Sequence, residues 1–224
     1  MALQFLGHGA NVVGQLGSGS LVQDMPPAAQ FDGTASYVDV SGSGASPWTV
    51  PYLSGASTIC GWFKAVERRS DSFFSIRRSG LEMFHFYHSN AGGDLIYTSI
   101  RDKDNTLHQL GTGAHSYNNY VPTISGIPVE GSYPWTHLAW TYDGVSGSLY
   151  FNGVLITSSA ITMSNGMYND GVWADGTAAT SDVWLGRGTG AGTTYCSGSL
   201  RDWRIYSGSA LTATELGEVM NDTY

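Results

Sequence analysis

The stretch Trp135–Gly153, WTHLAWTYDGVSGSLYFNG, decides the reading of this chain. Side chains alternate along a strand, so Leu138, Trp140 and Tyr142 fall on one face of a run that begins at Trp135. Asp143-Gly144 interrupts that run, and Ser148-Leu149-Tyr150-Phe151 resumes it. Asn152-Gly153 then predicts a two-residue type I′ hairpin, because such a turn needs positive φ at both central residues. The expected register pairs Phe151 with Val154, Tyr150 with Leu155 and Leu149 with Ile156. Opposed residues share a face, which places Leu149, Phe151, Val154 and Ile156 on one side.

Working outward, strand-like runs and turn signals alternate from Gln30 onward. Strands are predicted at 36–40, 58–65, 73–77, 81–87, 94–101 and 106–110. Others are predicted at 136–142, 148–151, 154–158, 183–186 and 199–206. Many short strands with glycine turns indicate an all-β sandwich. In the last run Trp203 and Ile205 share a face, and Leu200 has the wrong parity to join them. A bulge near Arg201-Asp202 would restore it. Thr212-x-x-Glu215 is a capping box, with Leu211 and Leu216 at the staple positions, so a short C-terminal helix follows. Its stripe of Leu216, Val219 and Met220 can dock on the sandwich.

Four segments resemble the concanavalin A-like jelly rolls of the laminin G and pentraxin type, in the same order. Phe31-Asp-Gly-Thr-Ala-Ser-Tyr-Val38 is similar to their opening strands, and Thr58-Ile-Cys-Gly-Trp-Phe-Lys64 to the next core strand. Trp-x-His-Leu-Ala with Tyr-Asp-Gly and Leu-Tyr-Phe-Asn-Gly resembles the central hairpin. Val183-Trp-Leu-Gly186 and Gly198-Ser-Leu-Arg-Asp-Trp-Arg-Ile-Tyr206 resemble the closing strands. The resemblance implies an antiparallel jelly-roll β-sandwich with a short C-terminal helix, over residues 29–224. It implies little about function, since the fold carries lectins, hydrolases and structural modules. In the pentraxin branch a cysteine at the Cys60 position pairs with one on the strand of Trp135, where this chain has Leu138; that bridge is therefore expected to be absent. Cys60 and Cys196 are read as reduced, one of them buried.

Residues 1–28 differ in character: glycines at 7, 9, 14, 17 and 19 punctuate short apolar pieces before Pro26-Pro27. This segment reads as an N-terminal arm that lies on its own sandwich or on a neighbouring subunit, the latter giving a homo-oligomer or a capsid or tail lattice.

Charged residues are 12% of the chain, about half of ordinary usage, and the net charge is −8. That balance speaks against phosphate-backbone binding and against adhesion to an anionic membrane. No apolar run is long enough to span a bilayer, and the N-terminus lacks a basic n-region. The expected setting is a virion or an extracellular surface, with a glycan or protein surface as partner. The non-catalytic reading rests on the glutamates Glu67, Glu82, Glu130, Glu215 and Glu218, no two of which alternate on a strand. Retaining glycoside hydrolysis needs two carboxyls about 5 Å apart. His85 and His88 are expected on opposite strand faces, and His137 is read as structural. Gly186-Arg-Gly-Thr-Gly-Ala-Gly192 reads as a loop between strands. The rival functions are a freestanding lectin and a divergent polysaccharide hydrolase or lyase.

Three aromatic loops supply candidate ligand contacts: Trp48 and Tyr52, Tyr117 and Tyr120, and Tyr168 and Trp173. The pentraxin calcium-binding run maps onto Arg187-Gly188-Thr189, which offers no carboxylates, so the resemblance implies no calcium there. Asn169, Asp170 and Asp175 are a separate candidate Ca²⁺ set, though the favoured reading of these residues is as turn formers. A melt with and without chelator decides between them. Calcium binding predicts a lower Tm in chelator that excess Ca²⁺ restores; an unchanged Tm leaves the turn reading.

Overall fold

The computed structural model describes residues 2–4, 28–39, 56–66, 70–78, 81–89, 95–101, 106–111, 123–124, 127–128, 134–161, 181–188 and 194–221. Two antiparallel sheets face each other. The first contains β1 (Ala2–Gln4), β2 (Ala29–Asp32), β4 (Ser57–Ala65), β11 (Thr136–Tyr142), β12 (Ser146–Phe151), β13 (Val154–Ala160) and β17 (Ser197–Ser207). Its order is β1-β17-β4-β11-β12-β13, with β2 also paired to β17. The second contains β3 (Val38–Asp39), β5 (Asp71–Arg78), β6 (Leu81–Ser89), β7 (Leu95–Arg101), β8 (Leu107–Gly111) and β14 (Ser181–Leu185). Its order is β3-β14-β5-β6-β7-β8. Two small ladders complete the description: β9 (Thr123–Ile124) with β10 (Ile127–Pro128), and β15 (Arg187–Gly188) with β16 (Thr194–Tyr195). The helix α1 spans Ala213–Asn221.

The hairpin forms as its residues dictate. Asn152 and Gly153 both take positive φ, 48° and 76°. Asn152 Oδ1 accepts the His137 N–H at 2.8 Å and Asn152 N–H donates to the His137 carbonyl, so the turn is tied back to β11. Leu138, Trp140 and Tyr142 all point into the core. The expected pairing of Leu149 with Ile156 is corrected: Leu149 faces Thr157, because an irregularity between Leu149 and Tyr150 shifts the register by one. Val154 keeps its expected partner Phe151 but is exposed at the strand end, and of the four residues only Leu149 and Phe151 are buried.

The expected bulge lies in β17. Arg201 pairs with Trp62 and Arg204 with Cys60, so Asp202 and Trp203 stand opposite the single residue Gly61. Asp202 takes φ 54°, and its carboxylate receives Arg204 Nε and Nη2 at 3.0 and 3.1 Å. The extra residue brings Leu200, Trp203 and Ile205 to one face, each about 1% exposed. The Trp203 indole lies across Gly61, where a Cβ would collide with it. Across the gap it stacks on Phe74, with centroids 5.5 Å apart at 5°, and meets Phe86 edge-on at 5.8 Å.

The outer face of the first sheet is closed. Thr212 and Glu215 form the expected reciprocal cap, with Thr212 N–H donating to Glu215 Oε2 at 2.7 Å and Glu215 N–H to Thr212 Oγ1 at 3.3 Å. Thr58 anchors the approach to the helix by accepting the Leu211 N–H and donating to the Ser209 carbonyl. Leu216 and Val219 then bury against Cys60 and Ala139, whose small side chains let the helix approach closely. Ala139, not Leu138, is the residue opposite Cys60. Cys60 and Cys196 are both free thiols and both buried, one more than expected. Burial pushes the Cys60 thiol up to about 12, against a smaller opposing pull from Arg204, so it is not a thiolate at neutral pH. Beside the helix, Arg201 stacks on Trp62 and Trp135, and Trp62 meets His137 edge-on.

His137 is 1% exposed, and burial, aided by Arg204, holds its imidazole down to about 3. An unfolded histidine titrates near 6.5, so between there and about 3 the unfolded chain takes up a proton that the folded chain refuses. Stability is therefore full above pH 6.5 and declines on acidification, by about 1 kcal/mol per pH unit in that window. The downshifted carboxylates Asp143 and Glu215 add their own loss only near and below the ordinary carboxylate range. Urea melts at pH 7 and pH 5.5 should show the decline in the parent protein and a flattened slope in His137→Gln.

Candidate functional site

With one sheet closed by α1, the outer face of the second sheet is the other candidate surface: Tyr87, Tyr97 and Gly111 are half-buried there and Gln109 is exposed, whereas Ser72, Ser75, His85, Ser99 and Trp184 are buried. Register builds it directly. One row crosses the sheet through Trp184, Ser75, His85, Ser99 and Gln109, and the next through Ser72, Tyr87, Tyr97 and Gly111. Their alternate neighbours, Phe74, Phe84, Phe86, Ile96 and Ile100, fill the core. The face is therefore the polar half of strands whose apolar half is spent on sandwich packing.

Three rings run across the middle of this face. His85 and Tyr87 lie 4.6 Å apart at 21°, and Tyr87 and Tyr97 lie 5.3 Å apart at 18°. Gly111 makes room for Tyr97, whose ring would strike a Cβ there. Gln109 Nε2 donates to the Tyr87 hydroxyl at 3.3 Å. Tyr87 and Tyr97 are half-buried and Gln109 is exposed. Aromatic bodies with hydroxyl and amide edges match a ligand that has both apolar C–H patches and hydroxyls.

At one end the β15–β16 ladder lies on β5. Gly186, with φ 79°, turns the chain over Phe31, and Ser75 Oγ donates to the Arg187 carbonyl at 2.7 Å. Gly188 sits directly on the pair formed by Ser72 Oγ and His85 Nε2, which are 2.6 Å apart. That serine–histidine pair is buried beneath backbone, so it serves packing and not nucleophilic attack. Arg187 reaches over Trp184 at 4.1 Å, Tyr37 at 4.6 Å and Tyr195 at 5.8 Å. Arg77 also stacks on Trp184, at 4.4 Å.

The sequence-predicted contacts Trp48, Tyr52, Tyr117, Tyr120, Tyr168 and Trp173 lie outside the described residues, as does the candidate calcium set Asn169, Asp170 and Asp175. Among the described residues no group of three His, Cys, Asp or Glu side chains could hold a metal ion. His85 and His88 share β6 three residues apart; His85 belongs to the outer-face row. The ring row and the Arg187 cluster were missed from sequence. The alternation of His85 with Tyr87 signalled the first, whereas the second joins residues far apart in the chain. The glycine-rich run after Gly186 begins with β15, an element and not only a loop.

A family model described as the concanavalin A-like lectin/glucanases superfamily matches residues 32–217. No curated protein sequence matches the chain. Among solved structures it is similar to the Ruminococcus gnavus IT-sialidase CBM40 bound to α2,3-sialyllactose, at TM-score 0.59 and 22% identity over 86% of this chain and 95% of that one. It is also similar to the binding domain of Botulinum neurotoxin DC in complex with rat synaptotagmin II, at TM-score 0.57 and 11% identity over 86% of this chain. The binding domain of Paraclostridial Mosquitocidal Protein 1 aligns at TM-score 0.57 and 14% identity, again over 86%. This chain spans 42% of the length of each of the two toxin structures.

Proposed function

The chain belongs to the concanavalin A-like lectin/glucanases superfamily, and on that premise we propose that it is a non-catalytic module that binds a glycan, or a protein surface, through the outer face of the second sheet. The observation that carries the reading is the contrast between the two sheets. The first is sealed on its outer side by α1 and the Trp62–Arg201–Trp135 stack. The second offers Tyr87, Tyr97 and Gln109 in two adjacent rows, beside the buried His85 and Ser99. The similar structures named above support it, since one is a carbohydrate-binding module in complex with sialyllactose and the others are toxin binding domains.

Catalysis finds little support in the geometry. Of the glutamates in described elements, Glu82 is on β6, while Glu215 and Glu218 are on α1, so no two of them alternate on one strand. Glu215 is engaged in the helix cap, which holds its carboxyl below the usual range.

A glycan array spanning neutral and acidic sugars, sialyllactose included, tests the reading. Binding should be found, and Tyr97→Ala should weaken it at least tenfold with an unchanged circular dichroism spectrum. Binding that is indifferent to Tyr97→Ala and Gln109→Ala would move the site elsewhere.

A finer reading places the module on a virion, as capsid decoration or tail, or on another exposed assembly. The low charge content supports it, and so does the way β1 is added: Ala2–Gln4 pairs with Tyr206, Ile205 and Arg204 at the edge of β17. A strand held only at an edge can be exchanged between copies at small cost. Deleting residues 1–28 should then leave a folded sandwich that assembles less well. Light scattering is the readout. Unfolding of the truncated chain would show instead that the arm completes its own domain, and normal assembly that the arm is incidental.

A further inference from the structure

We propose that Arg187 anchors an anionic oxygen group, a carboxylate or a sulfate, carried by the glycan that lies on the outer face of the second sheet. The proposal rests on the glycan-binding reading above and specifies the ligand class for that same face.

Arg187 is a half-buried cation in a chain of net charge −8, and among the described residues no carboxylate pairs with it. Arg204, by contrast, has a counter-ion: Asp202 takes two of its N–H groups at 3.0 and 3.1 Å. Arg187 has rings instead of a counter-ion, with Trp184, Tyr37 and Tyr195 all beneath its guanidinium. Covering Trp184 does not by itself require Arg187, because Arg77 stacks on the same indole.

Both ends of the residue are fixed. Its carbonyl accepts from Ser75 Oγ, its strand pairs with β16, and its side chain rests on three aromatic rings. A guanidinium held this way loses little freedom on meeting an anion, and its planar fork matches two oxygens at once. A lysine would lack both properties.

The surroundings are short of acceptors. Among the described residues, Trp184 Nε1, Arg187 Nε and Thr194 Oγ1 are buried without a hydrogen-bond partner. Thr194 sits opposite Gly188 on the ladder that carries Arg187. Unmet buried donors are costly, and a native structure keeps them mainly where a ligand, water or ion completes them. Two of the three can only donate, and the hydroxyl can do so, so the missing partner is rich in acceptor oxygens. A carboxylate or sulfate qualifies, and a sugar hydroxyl alone qualifies poorly.

Position links this cluster to the ring row. Ser75 lies between Trp184 and His85 in one row of the sheet, and His85 stacks on Tyr87. A short oligosaccharide crossing the strands would thus meet rings at one end and the guanidinium at the other.

The test measures the full chain by calorimetry against neutral, carboxylated and sulfated glycans that share a core. The parent protein should prefer one anionic class at least tenfold, and the preferred class identifies the group. Arg187→Gln should erase that preference by weakening the anionic glycans at least tenfold more than the neutral core, and Arg187→Lys should restore only part of it. Thr194→Val, which keeps the ring stack, should weaken the preference and stands in if Arg187→Gln fails to fold. Equal affinity for neutral and anionic glycans, or a preference that survives Arg187→Gln, would overturn the anchor while the binding module stands. Absence of binding to every glycan would overturn the glycan reading and this proposal together.

Discussion

Everything in this sandwich depends on how Trp203 crosses between the sheets. Its indole needs a partner residue without a side chain, and Gly61 supplies that gap on the neighbouring strand. It also needs to share a face with Leu200 and Ile205, which simple alternation forbids. The bulge at Asp202 resolves the conflict by setting two residues against one. Its positive φ is unfavourable for a residue other than glycine, and the bond pair from Arg204 holds it in place. Once Trp203 is inside, its stack on Phe74 and its edge contact with Phe86 join the two layers. Replacing Gly61 with any larger residue would force that indole out of register with the opposite sheet.

That packing divides labour between the two outer surfaces. The first sheet is buried on both sides at its centre, which is why every residue of β11 is buried. Its outer half carries small residues, Cys60 and Ala139, under α1. The second sheet has no such cover among the described residues beyond the short β15–β16 ladder. It keeps aromatic and polar side chains on its outer side, and the glycines at 111 and 188 let rings and backbone lie close to it. A surface poor in charge and rich in hydroxyl, amide and ring edges suits sugars better than nucleic acid or anionic lipid.

Local signals made much of the fold legible in the sequence. Asn152-Gly153, the Thr212–Glu215 cap and the parity break before Trp203 each rest on neighbours a few residues apart, and each appears in the structure where it was read. The register beyond Tyr150 was misread because the irregularity at that point has no glycine or proline to mark it. The candidate site was less legible for a different reason. Tyr37, Arg77, Trp184 and Arg187 meet only because β14 pairs with both β3 and β5. No spacing in the chain predicts that pairing. Loop aromatics stand out in the sequence, while strand aromatics such as Tyr87 and Tyr97 carry no sign there of which sheet face they occupy.

The central claim is that ligands meet the outer face of the second sheet. The most direct measurement is amide chemical-shift mapping of the full chain titrated with the tightest glycan from an array. The account predicts that the largest shifts fall on Tyr87, Tyr97, Gln109, Gly111 and Arg187. Shifts confined to α1 and β11–β13, with that face silent, would contradict it.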